Sequence, residues 1–258
     1  MTTDAWRYID SGPLSGPDNM AIDEAVLESH LAGDTPPTLR VYGWHPPAVS
    51  LGRFQRANSS LDLAACRDLG IDVVRRPTGG RAILHTAEEV TFSLIVSAAR
   101  LGTTGVMDSY RVLAGGIISA LRLLGLDARL VERSSLAPTP AAQDPACFAV
   151  KARCDLVVGA SKLVGSAQVQ RHGVILQQNS LPLRIHLDDW RAVFRRPDDA
   201  PEAAGLCDVA TQPVKYSDVA AALREGFASA FGVTFDDSGL TERELAFAHD
   251  LAPKIIVA

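Results

Sequence analysis

The chain has 258 residues, of which 47% are hydrophobic and 21% charged, and its formal net charge is −5. This length and composition predict an ordinary globular protein with a sizeable core, built as one large α/β domain or two small ones. The acidic balance argues against a nucleic-acid-binding protein, because such proteins normally carry a basic excess.

The sequence gives little support to membrane spans, leader peptides, disulfides or metal sites. No apolar run approaches the roughly 18–20 residues that span a bilayer, and residues 1–10 lack the basic start and apolar stretch of a signal peptide. We therefore expect a cytoplasmic protein that binds no membrane. The four cysteines show no C-x-x-C spacing and are expected to stay reduced. The six histidines are scattered singly, so no metal site is predicted.

The amino-terminal part of the chain predicts two helices and several short strands. Pro17 opens a predicted helix over residues 17–32. A second helix, capped by Ser59 or Ser60, is expected to end before Gly70. The strands of this part are predicted at residues 39–42, 48–51, 71–75, 82–84 and 90–96.

The rest of the chain begins with a long predicted helix over residues 106–124, in which Gly115 and Gly116 indicate close packing. Residues 134–146 are the least regular stretch and are expected to form an extended or mobile loop. Further strands are predicted at residues 128–131, 156–158, 163–164 and 174–177, and further helices at residues 188–194, 217–231 and 240–248. Because strands and helices do not alternate strictly, the pattern favours a mixed-sheet α/β domain over a Rossmann fold.

The segment RRPTGGRAILH at residues 75–85 is the first candidate site. It fits neither the dinucleotide-binding nor the P-loop glycine pattern, and a double glycine is more often simply a turn that needs positive φ. However, Arg75, Arg76 and Arg81 lie within seven residues, and clustered cations repel one another unless an anionic or strongly polar group visits. The segment therefore favours an anion or carbonyl site and leaves its ligand open.

A cysteine and a lysine form the second candidate site. A lone cysteine is usually a small buried hydrophobe, but Cys147 lies in a polar, proline-rich loop. Lys162 follows fifteen residues later; such a lysine is normally solvated, although near a thiol it would favour the nucleophilic thiolate. Cys154 is a rival nucleophile, which we interpret as structural because it adjoins an apolar strand. The small residues 165–168 either admit a ligand close to the backbone or turn a hairpin.

Four segments in order give the chain a family resemblance. They read PDNMAIDEAVL, PPAVSLGRFQ, DVVRRPTGGRAILHTAEEVTFSLIV and SKLVGSAQVQRHGVILQQNSLPL. Together they resemble the lipoate–protein ligase and octanoyltransferase family, which shares its catalytic fold with biotin protein ligases. The resemblance implies an α/β (α+β) fold with mixed, largely antiparallel sheets and flanking helices. It also implies a single catalytic domain over residues 1–258, mainly helical from about residue 188.

Within this family, the loop sequence and a cysteine separate the variants. ATP-dependent lipoate ligases typically read GGGA at the loop, whereas thiol-dependent octanoyltransferases read GGRA and carry a Cys-Phe pair ahead of the lysine segment. This chain reads GGRA at residues 79–82 and has Cys147-Phe148, so it is similar to the octanoyltransferases. It departs from them at Ala152, Cys154 and Asp155, where that subgroup usually shows a serine and an aromatic–acid pair.

The resemblance implies transfer of an octanoyl group from octanoyl–acyl carrier protein to a lysine of a lipoyl domain, a step of lipoate biosynthesis. The favoured acceptor is the H protein of glycine cleavage, and the reaction needs no cofactor. Cys147 would be the nucleophile and Lys162 would activate it and bind the acyl carbonyl. The residues expected to shape the acyl site are Arg76, Thr78, Gly79, Gly80, Arg81, His85, Asp155, Gly165, Ser166 and Ala167.

Three other functions stay open at this point. The chain could be the catalytic subunit of an ATP-dependent lipoate ligase whose accessory domain is a separate chain. It could be an amidotransferase that moves the acyl group between lipoyl domains, which also uses a thiol. It could also be a non-catalytic module that binds an acyl carrier.

Overall fold

A computed structural model describes residues 4–132, 154–159, 161–195 and 204–258, with the backbone alone at Asn58, Ser59, Glu132, Cys154 and Asp155. The strands are β1 (Asp4–Leu14), β2 (Thr38–Trp44), β3 (Ala48–Leu51), β4 (Asp72–Arg75), β5 (Ile83–His85), β6 (Glu89–Ser97), β7 (Ala128–Glu132), β8 (Cys154–Val158), β9 (Ser161–Arg171), β10 (Val174–Pro182) and β11 (Val233–Asp237). The helices are α1 (Gly16–Leu31), α2 (Ala57–Ser60), α3 (Leu63–Asp68), α4 (Ala98–Leu101), α5 (Val106–Leu123), α6 (Leu187–Val193), α7 (Leu206–Val209), α8 (Tyr216–Phe231) and α9 (Glu242–Ile255).

Two sheets organise these elements. The large sheet has the order β11-β1-β2-β6-β10-β9-β8-β7, and the small sheet has the order β4-β3-β5. In the large sheet β1 is parallel to β2 and β11, while the other neighbouring strands are antiparallel. In the small sheet β3 is parallel to β4 and antiparallel to β5. The predicted mixed, largely antiparallel architecture is confirmed.

Helices cover both faces of the large sheet, and the residues of β6 show why. Phe92, Leu94 and Val96 belong to the core cluster that contains apolar residues of α5 and α8. Ile95, on the other face of the strand, belongs to the cluster formed with α1 and α9. Because successive side chains of a strand point to opposite faces, a central strand buried on both sides reads as a nearly continuous apolar run.

The predicted helix over residues 17–32 is confirmed as α1, and its start has a clear local cause. Ser15 is the N-cap, and its hydroxyl accepts a hydrogen bond from the Asp18 amide at 3.2 Å. Pro17 occupies the first turn, where a missing N–H costs nothing.

Helices α5 and α8 pack closely at glycines, and the close packing predicted for Gly115 and Gly116 is found at Gly116. A Cβ built on Gly116 would lie 2.4 Å from Phe227, and one built on Gly226 would lie 2.4 Å from the Ala120 amide nitrogen. Gly115 faces open space. Only the second glycine of the pair therefore marks the helix contact.

Several elements differ from the sequence prediction, which did not include β1, β11, α4 or α7 and ended the last helix at residue 248. The helix predicted from Ser59 or Ser60 is divided at Leu61 into α2 and α3, and Asp62 caps the second piece by accepting from two backbone amides. Strand β11 follows α8 directly and pairs with β1. Neither of these two strands shows a simple apolar alternation, because β1 buries the charged Arg7 and β11 is largely exposed. The predicted loop at residues 134–146 lies outside the described part of the chain.

Candidate active site

The arginine–glycine loop between β4 and β5 is built around the buried side chain of Arg76, which is 4% exposed. Its guanidinium donates to the carbonyl oxygens of Ser50 at 2.8 Å, Gly79 at 2.6 Å and Arg81 at 2.7 Å. It also donates to the Thr78 hydroxyl at 3.1 Å. Burial lowers the pKa of Arg76 to about 10, which leaves the group charged at neutral pH. The polar partner of this arginine is therefore the protein's own backbone.

Arg75 performs a similar task on the neighbouring turn at residues 52–55. Its Nη1 donates to the carbonyl oxygens of Gly52, Arg53 and Gln55 at 3.1, 3.2 and 2.8 Å. The Arg53 amide in turn donates to the Thr78 carbonyl at 2.9 Å. Two of the three clustered arginines thus hold two surface turns against each other.

The glycines of these turns have different roles. Gly80 has φ +93°, a conformation that favours glycine, whereas Gly79 has neither a positive φ nor any atom near a built Cβ. A Cβ on Gly52 would lie 2.1 Å from the Gly80 carbonyl oxygen, so only glycine permits this contact. The interpretation of the double glycine as a turn with positive φ therefore holds at its second residue.

His85 joins this loop through a buried hydrogen-bond chain. Its Nε2 lies 2.8 Å from Ser50 Oγ and its Nδ1 lies 2.8 Å from Glu89 Oε1. Arg76 donates to the same Ser50 hydroxyl at 3.1 Å. The imidazole therefore bridges the Ser50 hydroxyl and the Glu89 carboxylate. The ring is also stacked on Trp44 with a centroid distance of 3.9 Å.

The lysine segment lies on β9, next to the arginine–glycine loop. Lys162 is half-buried, pairs with Val157 of β8, and accepts a hydrogen bond from the Ala204 amide at its carbonyl oxygen. Asp155 lies on β8 opposite Val131. On the other side of β9, Gly165, Ser166 and Ala167 pair with Ser180, Asn179 and Gln178 of β10.

Two contacts bring the segments together. Thr78 donates to Gln178 Oε1 at 2.7 Å, and a Cβ on Gly165 would lie 3.9 Å from Ile83 Cδ1. The Ser166 hydroxyl donates to Asn179 Oδ1 at 2.8 Å. The residues predicted for the two walls of one site are therefore neighbours in the fold.

Sequence analysis missed the polar base of this site, which is centred on Asp23 of α1. The buried carboxylate accepts four hydrogen bonds, from Arg40 at 2.8 Å, Ser93 at 2.7 Å, Tyr42 at 2.9 Å and Gln178 at 2.8 Å. Burial, together with the nearby Asp23 carboxylate, raises the pKa of Tyr42 well above its ordinary value. A charge buried this deeply is tolerated because it is paired and fully hydrogen-bonded.

The sequence of the first helix already contained an indication of these buried polar residues. Asn19 and Asp23 are polar residues four positions apart, so they share one helix face. Asn19 accepts from Arg40 at 2.7 Å through its side-chain oxygen. Because the same helix face continues with the apolar Val26 and Leu27, polar residues at that spacing indicate a buried network.

Cys147 and Ala152 lie outside the described residues, so the predicted meeting of Cys147 with Lys162 stays a prediction. Among the cysteines that the structure describes with their side chains, Cys66 is buried and Cys207 is partly buried. Burial raises the pKa of the Cys66 thiol, which makes it a poor nucleophile at neutral pH.

Neither a metal centre nor a membrane helix is found in the part of the chain that the structure describes. No three His, Cys, Asp or Glu side chains there form a group that could hold a metal ion. None of the helices there combines the length and apolarity needed to cross a bilayer.

Comparison with known sequences identifies close relatives. The family described as lipoyl protein ligase A/B catalytic domain matches residues 15–225. Octanoyltransferase LipM of Kyrpidia tusciae is 42% identical over 267 residues, covering 97% of this chain and 96% of that protein. Octanoyltransferase LipM of Bacillus subtilis is 34% identical over 266 residues, covering 98% of this chain and 95% of that protein.

Solved structures show the same fold. A lipoate-protein ligase A bound with ATP superposes with a TM-score of 0.81 at 28% identity, covering 97% of this chain and 95% of that one. The bipartite lipoate protein ligase of Thermoplasma acidophilum superposes with a TM-score of 0.76 at 26% identity, covering 97% of this chain and 93% of that one. By sequence and by fold, the chain belongs to the lipoyl protein ligase A/B catalytic domain family.

Proposed function

We propose that the protein is an octanoyltransferase of lipoate biosynthesis. It takes the octanoyl group from octanoyl–acyl carrier protein and passes it to a lysine of a lipoyl domain, with glycine cleavage H protein as the favoured acceptor. The observation that carries this proposal is the near-full-length similarity, at 34–42% identity, to proteins named octanoyltransferase LipM. The GGRA loop at residues 79–82 supports it.

The proposed reaction has two acyl transfers. The Cys147 thiolate attacks the donor thioester carbonyl, the bond to the carrier sulfur breaks, and the carrier thiolate takes up a proton. The acceptor lysine amine then attacks the Cys147 thioester, forms an amide, loses a proton and releases the thiol. The first step exchanges one thioester for another and the second is downhill, so neither step needs ATP.

Lys162 is proposed to stabilise the two negatively charged groups of this reaction, the thiolate and the acyl oxygen. Its ammonium group favours the Cys147 thiolate and donates to the acyl oxygen as negative charge develops. The position of Lys162 on β9, in register with Val157 of β8, supports this role, because a paired backbone limits the movement of the donor.

The remaining predicted residues are proposed to form the walls of the acyl site. The loop from Arg76 to Arg81 provides one wall, with His85 behind it, and Gly165, Ser166 and Ala167 on β9 provide the other. The hydrogen bond from Thr78 to Gln178 supports this arrangement because it joins the loop to β10, and Gln178 pairs with Ala167 of the other wall. Asp155, on β8 beside the lysine strand, is assigned to the same site.

The organisation and location of the protein belong to the same proposal. Residues 1–258 form a single catalytic domain, whose part from about residue 188 is mainly helical. The protein works in the cytoplasm and uses two protein substrates in turn.

An ATP-dependent ligase subunit is the second candidate, because the solved structures at 26–28% identity are lipoate ligases, one of them bound with ATP. The two functions differ in their acyl donor. Arg81 favours the transferase, since a bulky residue in place of a ligase glycine restricts the approach of a nucleotide phosphate to the backbone.

A donor exchange experiment tests the proposed function. With octanoyl–carrier protein and a lipoyl domain, without nucleotide, the acceptor gains an octanoyl group by intact mass. With octanoate, ATP and magnesium it stays unmodified. Labelling only in the second mixture would refute the transferase proposal in favour of the ligase. Labelling in neither mixture but from an octanoylated lipoyl domain would identify an amidotransferase.

A further inference from the structure

A local concentration of positive charge lies at the edge of the candidate site, although the whole chain carries −5. Residues 52–60 and 75–87 together contain five arginines and no aspartate or glutamate. Arg76 is buried and Arg75 is half-buried, whereas Arg53, Arg56 and Arg81 are exposed. The two segments contact each other at Gly52 and Gly80, and we call their arginines, together with Phe54, the arginine rim.

The arginine rim is held in a defined shape. The Gly52 amide donates to Gln55 Oε1 at 3.0 Å, and the Gln55 amide donates to the Gly52 carbonyl at 2.9 Å. Arg75 binds three carbonyl oxygens of the same turn. A surface that is already ordered loses little conformational entropy when a partner binds.

An exposed aromatic ring lies at the centre of this turn. Phe54 is 67% exposed, more than any other large apolar side chain of the described residues. The Arg53 guanidinium carbon lies 5.7 Å from the centroid of its ring. Aromatic and arginine side chains side by side are the residues that contribute most to protein–protein binding energy. The rim thus has the composition of a docking surface for a protein.

The rim also adjoins the candidate acyl site. Gly52 contacts Gly80 so closely that no Cβ fits between them, and the Arg53 amide donates to Thr78. A partner seated on Phe54 would lie next to the loop proposed as one wall of that site. A flexible prosthetic arm carried by that partner would therefore need to span only a short distance to reach the acyl site.

We propose that the arginine rim, with Arg53 and Phe54 at its centre, is the docking surface for the acidic acyl carrier protein that donates the octanoyl group. This inference rests on the proposed octanoyltransferase function. A protein of net charge −5 repels an acidic partner on average, so a local patch of opposite sign is needed to orient the encounter. The carrier fits because it is acidic and delivers its acyl chain on a phosphopantetheine arm.

Charge reversal with a matched control tests the proposal. Arg53→Glu and Arg122→Glu change the net charge equally, but Arg122 is an exposed residue at the end of α5. The rate of octanoyl loading from octanoyl–carrier protein is measured by intact mass at about 50 and about 300 mM salt. Arg53→Glu is expected to slow loading about tenfold at the lower salt and less at the higher. Phe54→Ala slows loading at both salt concentrations, and Arg122→Glu loads like the wild type.

The second half-reaction shows whether each variant is intact. Once loaded, all variants should transfer the octanoyl group to the lipoyl domain at the wild-type rate. Equal loading rates in Arg53→Glu and Arg122→Glu would overturn the docking assignment and leave the proposed function standing. Slowing of acceptor transfer in Arg53→Glu would also overturn it, because the surface would then serve the acceptor or the chemistry. A wild type that never loads would refute the proposed function and this inference with it.

Discussion

At the scale of single residues, the guanidinium of Arg76 joins strand β3 to the arginine–glycine loop by donating to the carbonyl oxygens of Ser50, Gly79 and Arg81. Arginine suits this position because its planar fork presents several donors at fixed angles. The sequence showed that cations cluster here, but their partners depend on how β3 and β5 pair. That pairing joins residues distant in sequence, so the role of Arg76 could not be predicted.

The glycine pair of the same loop gives a residue-scale prediction. Gly80→Ala should lower the free energy of unfolding by roughly 1–2 kcal/mol, because a Cβ is strained at positive φ. That Cβ would also lie 2.9 Å from Nη2 of Arg76. Gly79→Ala should change it by less than about 0.5 kcal/mol. Urea unfolding of both variants checks this, and equal destabilisation would show that Gly80 does not require its left-handed conformation.

At the scale of elements, the long helices α1, α5 and α8 were predicted well, whereas the neighbouring strands β1 and β11 were not predicted. The apolar patterns of α1, α5 and α8 predicted those helices within two residues at either end. Strands β1 and β11 were missed because Arg7 is buried in one, against Glu244 of α9, and the other is exposed. A charged residue buried by a partner far along the chain breaks the pattern on which sequence prediction depends.

The contact of α5 with α8 gives a second prediction. Gly116→Ala should destabilise the protein by about 1–3 kcal/mol, because its methyl group would overlap the Phe227 ring. Gly115→Ala lies one position away on the exposed face and should stabilise it by up to about 1 kcal/mol, since alanine favours the helix. Thermal unfolding of the pair measures the difference. Destabilisation by Gly115→Ala would contradict the assigned packing.

The ion pair between β1 and α9 predicts a pH dependence. Arg7 donates to both oxygens of Glu244 at 2.8 and 2.7 Å. Burial raises the pKa of Glu244, but the hydrogen bonds from Arg7 and from the Thr241 amide outweigh it and leave the pKa below the ordinary 4.5. The unfolded chain therefore binds the proton first, so the stabilisation is complete above about pH 4.5 and is lost as the pH falls through the folded pKa.

Glu244→Gln tests this coupling. It should lower the free energy of unfolding by about 3–5 kcal/mol at neutral pH, because the Arg7 charge is left unpaired, and by less in acid. Glu242→Gln, an exposed neighbour in the same helix, is the control and should cost only a few tenths of a kcal/mol. If Glu244→Gln lowers the free energy of unfolding by the same amount from about pH 7 to about pH 3, the ion pair does not cause the predicted pH dependence.

At the scale of the whole molecule, the fold places two chain segments, far apart in sequence, on one site. The arginine–glycine loop meets the β9–β10 hairpin through the hydrogen bond from Thr78 to Gln178 of β10, and a polar base around Asp23 lies beneath them. Family resemblance predicted that the segments belong together. The hydrogen bonds between them, and the contribution of α1 to their base, come from tertiary packing and were not predictable from local pattern.

The central claim is that Cys147 carries the octanoyl group between two proteins. Intact mass of the protein after mixing with octanoyl–carrier protein tests it most directly, with Cys154→Ser as the matched control for Cys147→Ser. We expect one octanoyl adduct in the wild type and in Cys154→Ser, released by hydroxylamine as a thioester is, and none in Cys147→Ser. An adduct that persists in Cys147→Ser and disappears in Cys154→Ser would show that Cys154, and not Cys147, carries the octanoyl group.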